Sequence, residues 1–117
     1  RKGEIIKTTP FEMVLIIRAV MNQIEARKVT YVRFPYGRIA ATRRVIDELD
    51  GLTISRLLTR HLHCDWGDIC DEDWNRNDHA VKSGGRLLSA YLVAGEKVFI
   101  ITEWDRSVTT ILFADEY

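Results

Sequence analysis

The chain is poor in the residues that cross-link or interrupt a fold. It has 2 cysteines among 117 residues, which are too few for a disulfide framework. Reduced thiols and a cytoplasmic location are therefore expected. The chain also has only 2 prolines and 7 glycines, and it contains no Pro/Gly-rich linker, internal repeat or low-complexity segment. We predict a single domain over residues 1–117.

Long hydrophobic runs are also missing. The run Val14–Ile17 is interrupted at once by Arg18, whereas a helix that spans a bilayer needs about 20 apolar residues. The chain does not open with a positively charged segment followed by an apolar one, so no secretory leader is predicted. We accordingly expect no membrane partner.

An excess of one charge is absent from the chain as a whole but present in each half. Lys+Arg and Asp+Glu number 17 each. Residues 1–60 carry 12 basic and 6 acidic side chains, a net charge of +6, and residues 61–117 carry 5 and 11, a net charge of −6. This split indicates either halves that complement each other within the fold or across a homodimer, or separate basic and acidic faces.

Capping signals and hydrophobic spacing indicate about four helices. Thr9-Pro10-Phe11-Glu12 is a capping box with Pro at the first helical position, and it predicts a helix that continues to about Arg27. Three more helices are predicted over Arg43 to Leu49, from an N-cap at Thr53 to about His61, and from Asp71 through Val81, where Gly84-Gly85 ends the last one.

Runs of β-branched and aromatic residues between turn residues predict the strands. The first run is Val29 to Phe34, and Arg38 to Ala41 is a short second one. The last three runs, Arg86–Leu92, Lys97–Glu103 and Ser107–Phe113, predict a C-terminal three-stranded antiparallel meander. The predicted fold class is therefore α+β, with the helices on one face of a mainly antiparallel sheet.

Four segments stand out because uncommon residue combinations follow one another in a set order. They are His61–Asp68, Asn77-Asp78, Gly84–Tyr91 and Ile100–Thr110. Together they resemble a family of small bacterial proteins with a His shortly before Gly-Asp-Trp-Gly-Asp, an Asn-Asp pair on a helix, Gly-(Gly/Ser)-Arg-(Ile/Leu)-Leu-Ser-Ala-Tyr, and Ile-Thr-Glu-x-Asp-Arg-Ser-x-Thr-Thr. Cys64 stands where the family usually has Gly.

Members of that family are often found on plasmids and other mobile elements, and they are frequently labelled as the methylation subunit, subunit M, of type I restriction systems. The resemblance covers about Phe34 to Tyr117, so residues 1–28 are expected to be an N-terminal helical extension and residues 29–117 the family-like region. A methyltransferase needs a Gly-rich strand-to-helix turn and an Asn-Pro-Pro-aromatic motif, and the chain has neither. No cofactor is expected.

Metal-ligating residue types are present without a metal-binding spacing. His61, His63 and Cys64, with Cys70 and His79, match no common zinc pattern. The acidic loop from Asp65 to Asp73 lacks the alternating oxygen ligands and closing Glu of a calcium loop. We predict no metal site.

The resemblance implies binding positions among the motif residues. They are Asp65, Trp66, Asp68, Asn77, Asp78, Ser89, Glu103, Asp105, Arg106 and Thr110. Asn77 and Asp78 fall near the packed side of their predicted helix, where an unpaired polar group costs about 1–3 kcal/mol. Arg86, just past the end of that helix, is the natural partner for Asp78, either as a structural brace or as the wall of a site.

His61 has an unperturbed pKa near neutrality. It ends an apolar helix face, where it is either a hydrogen-bonded, half-buried structural residue or a general acid/base. In the second case it would work with Arg86 and a hydroxyl from Ser89, Tyr91 or Thr109, provided that these side chains meet in one concavity.

Two functions fit the sequence. The first is a binding or regulatory accessory protein of a bacterial mobile element, which contacts a host protein, a nucleic acid or a second copy of itself. Nucleic acid would be contacted by residues of the basic half: Tyr31, Arg33, Tyr36, Arg38, Arg43 and Arg44. The acidic stretch from Asp65 to Asp78 could equally imitate a nucleic acid or meet a basic partner.

The alternative is a metal-independent ribonuclease-like enzyme. Such an enzyme needs a base near the ribose 2′-hydroxyl, a cation for the phosphorane and an acid for the leaving oxygen. His61, Arg86 and either Thr109 or Tyr91 are the catalytic candidates for these roles.

Overall fold

The computed structural model describes residues 32–117. The predicted helix from Pro10 to Arg27 lies outside the described residues, as does the start of the predicted strand from Val29 to Phe34. The described end of that strand, residues 32–34, is irregular and not extended into a strand. Within residues 32–117, no helix is both long and apolar enough to cross a membrane.

Four strands and three helices make up this part of the chain. In order they are β1 (Arg38–Ala41), α1 (Arg43–Glu48), α2 (Gly51–Leu62), α3 (Asp71–Ser83), β2 (Leu87–Val93), β3 (Glu96–Thr102) and β4 (Val108–Phe113), followed by a 3₁₀ turn over Ala114–Glu116. The predicted α+β class is confirmed. Of the four predicted helices, three are seen, and the fourth lies outside the described residues.

The helices begin at side-chain caps. Thr42 Oγ1 accepts a hydrogen bond from Val45 N–H at 3.2 Å and starts α1, as predicted. Helix α2 begins earlier than predicted, because Asp50 is its cap and accepts from Thr53 N–H at 2.7 Å. Aspartate is among the strongest N-cap residues, so Asp50 extends the helix past the point where Thr53 would start it.

The sheet is mixed. Its strand order is β1-β4-β3-β2, in which β2, β3 and β4 pair antiparallel and β1 lies parallel to β4. The prediction of a mainly antiparallel sheet is therefore only partly right. Ile39 pairs with Thr109, a partner so distant in the chain that no local turn signal could reveal the pairing.

One face of the sheet packs against all three helices. Alternate residues of the strands point toward this core, and Ile100, Ile111 and Leu87 have no exposed surface. Helix α2 contributes Leu58 and Leu62 to the same cluster. Full burial of an aliphatic side chain stabilises a fold by about 1.5–3 kcal/mol, so this cluster is the main source of stability.

The outer edge of β2 is closed by parts of the chain that are not strands. Ala90 N–H donates to Trp66 O at 3.0 Å, and Ala90 O accepts from Asp68 N–H at 2.6 Å. The Asn77 side chain accepts from Leu88 N–H at 3.3 Å and donates to Leu88 O at 2.8 Å. The segment from Trp66 to Asp68 and one amide side chain thus occupy hydrogen-bonding groups that an open edge would offer to other chains.

Gly67 makes the closure of β2 possible. Its φ is +78°, and a Cβ there would collide with Ala90 O and lie 2.6 Å from the Tyr91 ring. Gly84 has a similar φ of +92°, but open space surrounds its missing Cβ. We expect Gly84→Ala to lower the free energy of unfolding by about 1 kcal/mol through backbone strain, and Gly67→Ala to lower it by about 3 kcal/mol because a clash is added.

Urea unfolding of both variants measures this difference. Equal losses would show that the segment from Trp66 to Asp68 can move away from β2 without cost.

Candidate functional site

His61 lies at the centre of a buried hydrogen-bond chain. It has no exposed surface. Its Nδ1 is 2.6 Å from Ser89 Oγ, and its Nε2 is 2.9 Å from Thr102 Oγ1. The chain continues from Thr102 Oγ1 to Thr109 Oγ1 at 2.7 Å, and Thr109 donates to Tyr36 O at 2.8 Å.

The terminal carbonyl sets the direction of every bond in this chain. Because Tyr36 O can only accept, the single hydroxyl proton of Thr109 goes to it. Thr102 must then donate to Thr109, and His61 Nε2–H must donate to Thr102. His61 is therefore the Nε2–H tautomer, and its Nδ1 accepts from Ser89.

The surroundings of His61 keep the ring neutral. Burial, together with the positive charge of Arg106, lowers the pKa of His61 from 6.5 to about 3. Phe34 and Trp66 make edge-on ring contacts with it, with centroids 5.4 and 5.5 Å away. A neutral ring with both nitrogens engaged lacks the free lone pair and the access that a general base needs.

Arg86 lies apart from His61. The neighbouring Leu87 points into the core, so Arg86 points to the opposite face of the sheet. There its Nη1 donates to the Tyr117 hydroxyl at 2.6 Å, and its Nε is 3.5 Å from Glu103 Oε1. His61 and Arg86 therefore do not share a concavity.

The predicted pair of Asp78 with Arg86 does not form. Asp78 Oδ1 instead accepts from the indole Nε1–H of Trp66 at 2.9 Å. The reason is directional: α3 lies against the edge of β2 on the side of Trp66, whereas Arg86 faces Glu103 across the sheet. Asp78 therefore has the hydrogen-bond partner that its position requires, but that partner is the indole of Trp66.

Tyr91 and Asp65 stabilise the same edge of the sheet. The buried Tyr91 hydroxyl donates to Asp65 O at 2.7 Å, and burial raises the pKa of Tyr91. The Asp65 carboxylate accepts from Arg60 at 2.7 Å and from Gly67 N–H at 3.2 Å. The hydrogen bond from Arg60 is the main reason that the pKa of Asp65 is lowered. Each group has an internal structural partner.

The turn between β3 and β4 is held by Arg106. Arg106 N–H donates to Glu103 O at 2.9 Å, and the Arg106 backbone is left-handed, with φ of 61°. Its guanidinium donates to Gly85 O at 2.6 Å, to Ala80 O at 2.8 Å and to Glu103 O at 3.1 Å. It thereby ties the turn to the C-terminal end of α3, where positive charge is favourable.

Two exposed aromatic side chains, Trp104 and Tyr117, lie in this turn and at the C-terminal residue, and Arg86, Phe99 and Glu103 lie on the face of the sheet opposite Leu87 and Ile100. We define the aromatic patch as Arg86, Phe99, Glu103, Trp104 and Tyr117. The Tyr117 and Phe99 rings meet edge-on with centroids 5.8 Å apart, and the Arg86 guanidinium lies 5.4 Å from the Tyr117 ring centre. Trp104 is 68% exposed and Tyr117 47%. The sequence reasoning missed the two exposed aromatics, although a Trp at a turn corner, where folding does not need one, was an available signal.

The other candidates lie elsewhere. Asp68 is exposed beside β2, Thr110 is buried on the face opposite Thr109, and Asp105 is exposed at the turn, where its carboxylate accepts from Ser107 N–H at 3.0 Å. Among residues 32–117, no group of three or more His, Cys, Asp or Glu side chains is placed to hold a metal ion.

Arg44, one of the candidates for nucleic-acid contact, is already engaged. Its guanidinium lies 2.6 Å from Asp115 and 3.2 Å from both Glu48 and Glu96. It also covers the Phe113 ring, 4.0 Å from the ring centre. Tyr31 lies outside the described residues, and Arg38 is exposed. The contacts of Arg44 therefore weaken the basic surface that the sequence suggested for phosphates.

Comparison of the chain with models of known protein families, with curated proteins and with solved structures finds no match.

The depressed pKa of His61 predicts acid sensitivity. Below pH 6.5 the unfolded chain binds a proton on this ring that the folded chain refuses until about pH 3. The contribution of the neutral His61 ring to the free energy of unfolding is thus fully present above pH 6.5. It is lost as the pH falls, by about 1.4 kcal/mol per pH unit at its steepest. We expect His61→Gln, which does not titrate, to flatten the slope of unfolding free energy between about pH 6 and pH 5.

An unchanged slope in His61→Gln would contradict a neutral buried ring.

The backbone conformation of Arg106 yields a second stability prediction. Glycine is the usual residue at such a position, so Arg106→Gly removes a strain of about 1 kcal/mol. It also removes charge-assisted bonds to Gly85 O and Ala80 O, each worth about 1.5–3 kcal/mol. We expect a net loss of about 2–5 kcal/mol in unfolding free energy, measured by urea titration.

Ala94 is the matched position, with φ of 50° in the exposed turn between β2 and β3. Ala94→Gly removes strain and no side-chain bond, so it should stabilise the protein. If Arg106→Gly stabilised it as well, the guanidinium would not hold the turn.

Proposed function

We propose that the protein is a binding or regulatory module that acts by contact with a partner protein through the aromatic patch. The setting in a bacterial mobile element rests on the sequence resemblance alone. The observation that carries the proposal is the exposure of Trp104, which is 68% exposed at the corner of a well-braced turn. An exposed indole can contribute to binding, because the removal of its apolar surface from water by a partner is favourable.

The composition of the patch supports a protein partner. Trp, Tyr and Arg are the residue types that dominate the energetics of protein interfaces. The patch includes one of each, and the Arg86 side chain is 45% exposed. In contrast, the other large exposed apolar residues within residues 32–117, Leu52 and Leu92, are isolated aliphatic side chains.

The rigidity of the turn also supports this function. Arg106 and Asp105 both bind backbone groups of the turn region, through Glu103 O and Ser107 N–H. The partner would therefore meet an indole whose backbone is already ordered, and binding would lose little conformational entropy. A solubilising turn needs neither the brace nor the Trp.

The test is capture from nuclease-treated lysate of the host, followed by mass spectrometry and measurement of affinity for the recovered partner. Truncation of an interface hot spot costs about 2 kcal/mol or more, so Trp104→Ala should weaken binding by about thirtyfold. The unfolding midpoint should not change, because Trp104 is exposed.

Leu52→Ala is the matched control, since Leu52 is 43% exposed at the start of α2 and away from the patch. It should leave the affinity unchanged. The proposal would be contradicted if Trp104→Ala bound the partner as tightly as the unaltered protein does. It would also be contradicted if nuclease treatment of the lysate abolished capture.

A further inference from the structure

We infer that Trp104 and Asp105 together receive a cationic side chain, Arg or Lys, from a basic segment of the partner. The inference rests on the proposed function, because it names the chemistry that the aromatic patch would recognise. It starts from the sequence of the turn, in which Trp104 stands between two acidic residues, Glu103 and Asp105.

The patch already contains one example of this chemistry, built from its own residues. The Arg86 guanidinium lies 5.4 Å from the centre of the Tyr117 ring and 3.5 Å from the Glu103 carboxylate. A cation is thus held between an aromatic face and an acid. This geometry is favourable because the ring quadrupole and the carboxylate attract the same charge.

Trp104 and Asp105 offer the same pair of groups without the cation. Within residues 32–117, no Lys or Arg lies over the Trp104 ring or pairs with Asp105. The one nearby guanidinium, that of Arg106, is directed at the carbonyls of Ala80, Gly85 and Glu103. Trp is the strongest of the aromatic side chains in cation–π contacts, so the Trp104 ring would attract a cation more strongly than the Tyr117 ring does.

The ionisation of Asp105 supports this assignment. Its hydrogen bonds from Ser107 hold the pKa of the Asp105 carboxyl below its ordinary value, so the group is charged at neutral pH. One carboxylate oxygen accepts from Ser107 N–H, and the exposed group retains acceptor capacity on the other oxygen.

The test uses a short peptide of alternating Arg and Gly, with Glu–Gly and Gln–Gly peptides of equal length for comparison. Affinity is measured by calorimetry, because Trp66 and Trp74 would complicate fluorescence. We expect only the Arg peptide to bind, and we expect Trp104→Ala and Trp104→Leu each to weaken its binding by about tenfold. Leu keeps an apolar side chain but has no ring, so weaker binding by Trp104→Leu would identify the ring as the binding group.

Two further variants separate local from general electrostatics. Asp105→Asn should weaken binding of the Arg peptide by about threefold, and Asp71→Asn, an exposed acid on α3, by less than about twofold. Equal effects of the two substitutions would overturn the inference, as would equal binding of the Gln–Gly peptide.

Failure of the inference is distinguishable from failure of the proposed function. If Trp104→Ala no longer binds the captured partner but still binds the Arg peptide as tightly as the unaltered protein does, the patch is an interface but not a cation site. If neither interaction depends on Trp104, both conclusions fall.

Discussion

The hydrogen-bond chain through His61 is the interaction on which the rest of this structure depends. It joins α2 to β2 through Ser89, to β3 through Thr102, and onward to β4 through Thr109 and to the segment before β1 through Tyr36 O. Five parts of the chain are therefore tied together by groups that would be costly to bury unpaired. Each hydrogen bond in this series has one possible direction. The series therefore specifies the relative position of these parts more precisely than apolar packing alone does.

Polar groups that are hydrogen-bonded inside the fold are not available to another molecule. The polar side chains on the core face of the sheet use their hydrogen-bonding capacity on one another, and the edge of β2 is occupied by Asn77 and the segment from Trp66 to Asp68. Within residues 32–117, the exposed Trp104 at the turn between β3 and β4 remains accessible to another molecule. Arg106 connects the two regions, because it anchors that turn to the end of α3 and its charge also disfavours protonation of His61.

The fold was predictable where its signals are local. Caps, glycine ends and alternating strands located α1, α3 and β2 to β4, whereas the parallel pairing of β1 with β4 has no local signature. The site was less predictable, because a histidine at the end of an apolar helix face fits both a structural and a catalytic role. Only the contacts of both ring nitrogens distinguish the two. Asp78 needed a partner, but an indole donor is not suggested by charge, so sequence reasoning chose Arg86.

Trp104 differs from the specified positions of the sequence resemblance, because those positions have partners inside the fold. Ser89, Asn77, Asp78 and Arg106 each have an internal partner, so folding alone accounts for their residue types. Trp104 falls at the unspecified position of Ile-Thr-Glu-x-Asp-Arg-Ser, and no contact within residues 32–117 requires an indole there. A chain that kept the specified residues could therefore keep this fold and present a different side chain at the corner of the turn. Under the proposed function, the braced turn would hold the displayed residue in place, and the choice of partner would depend on that residue.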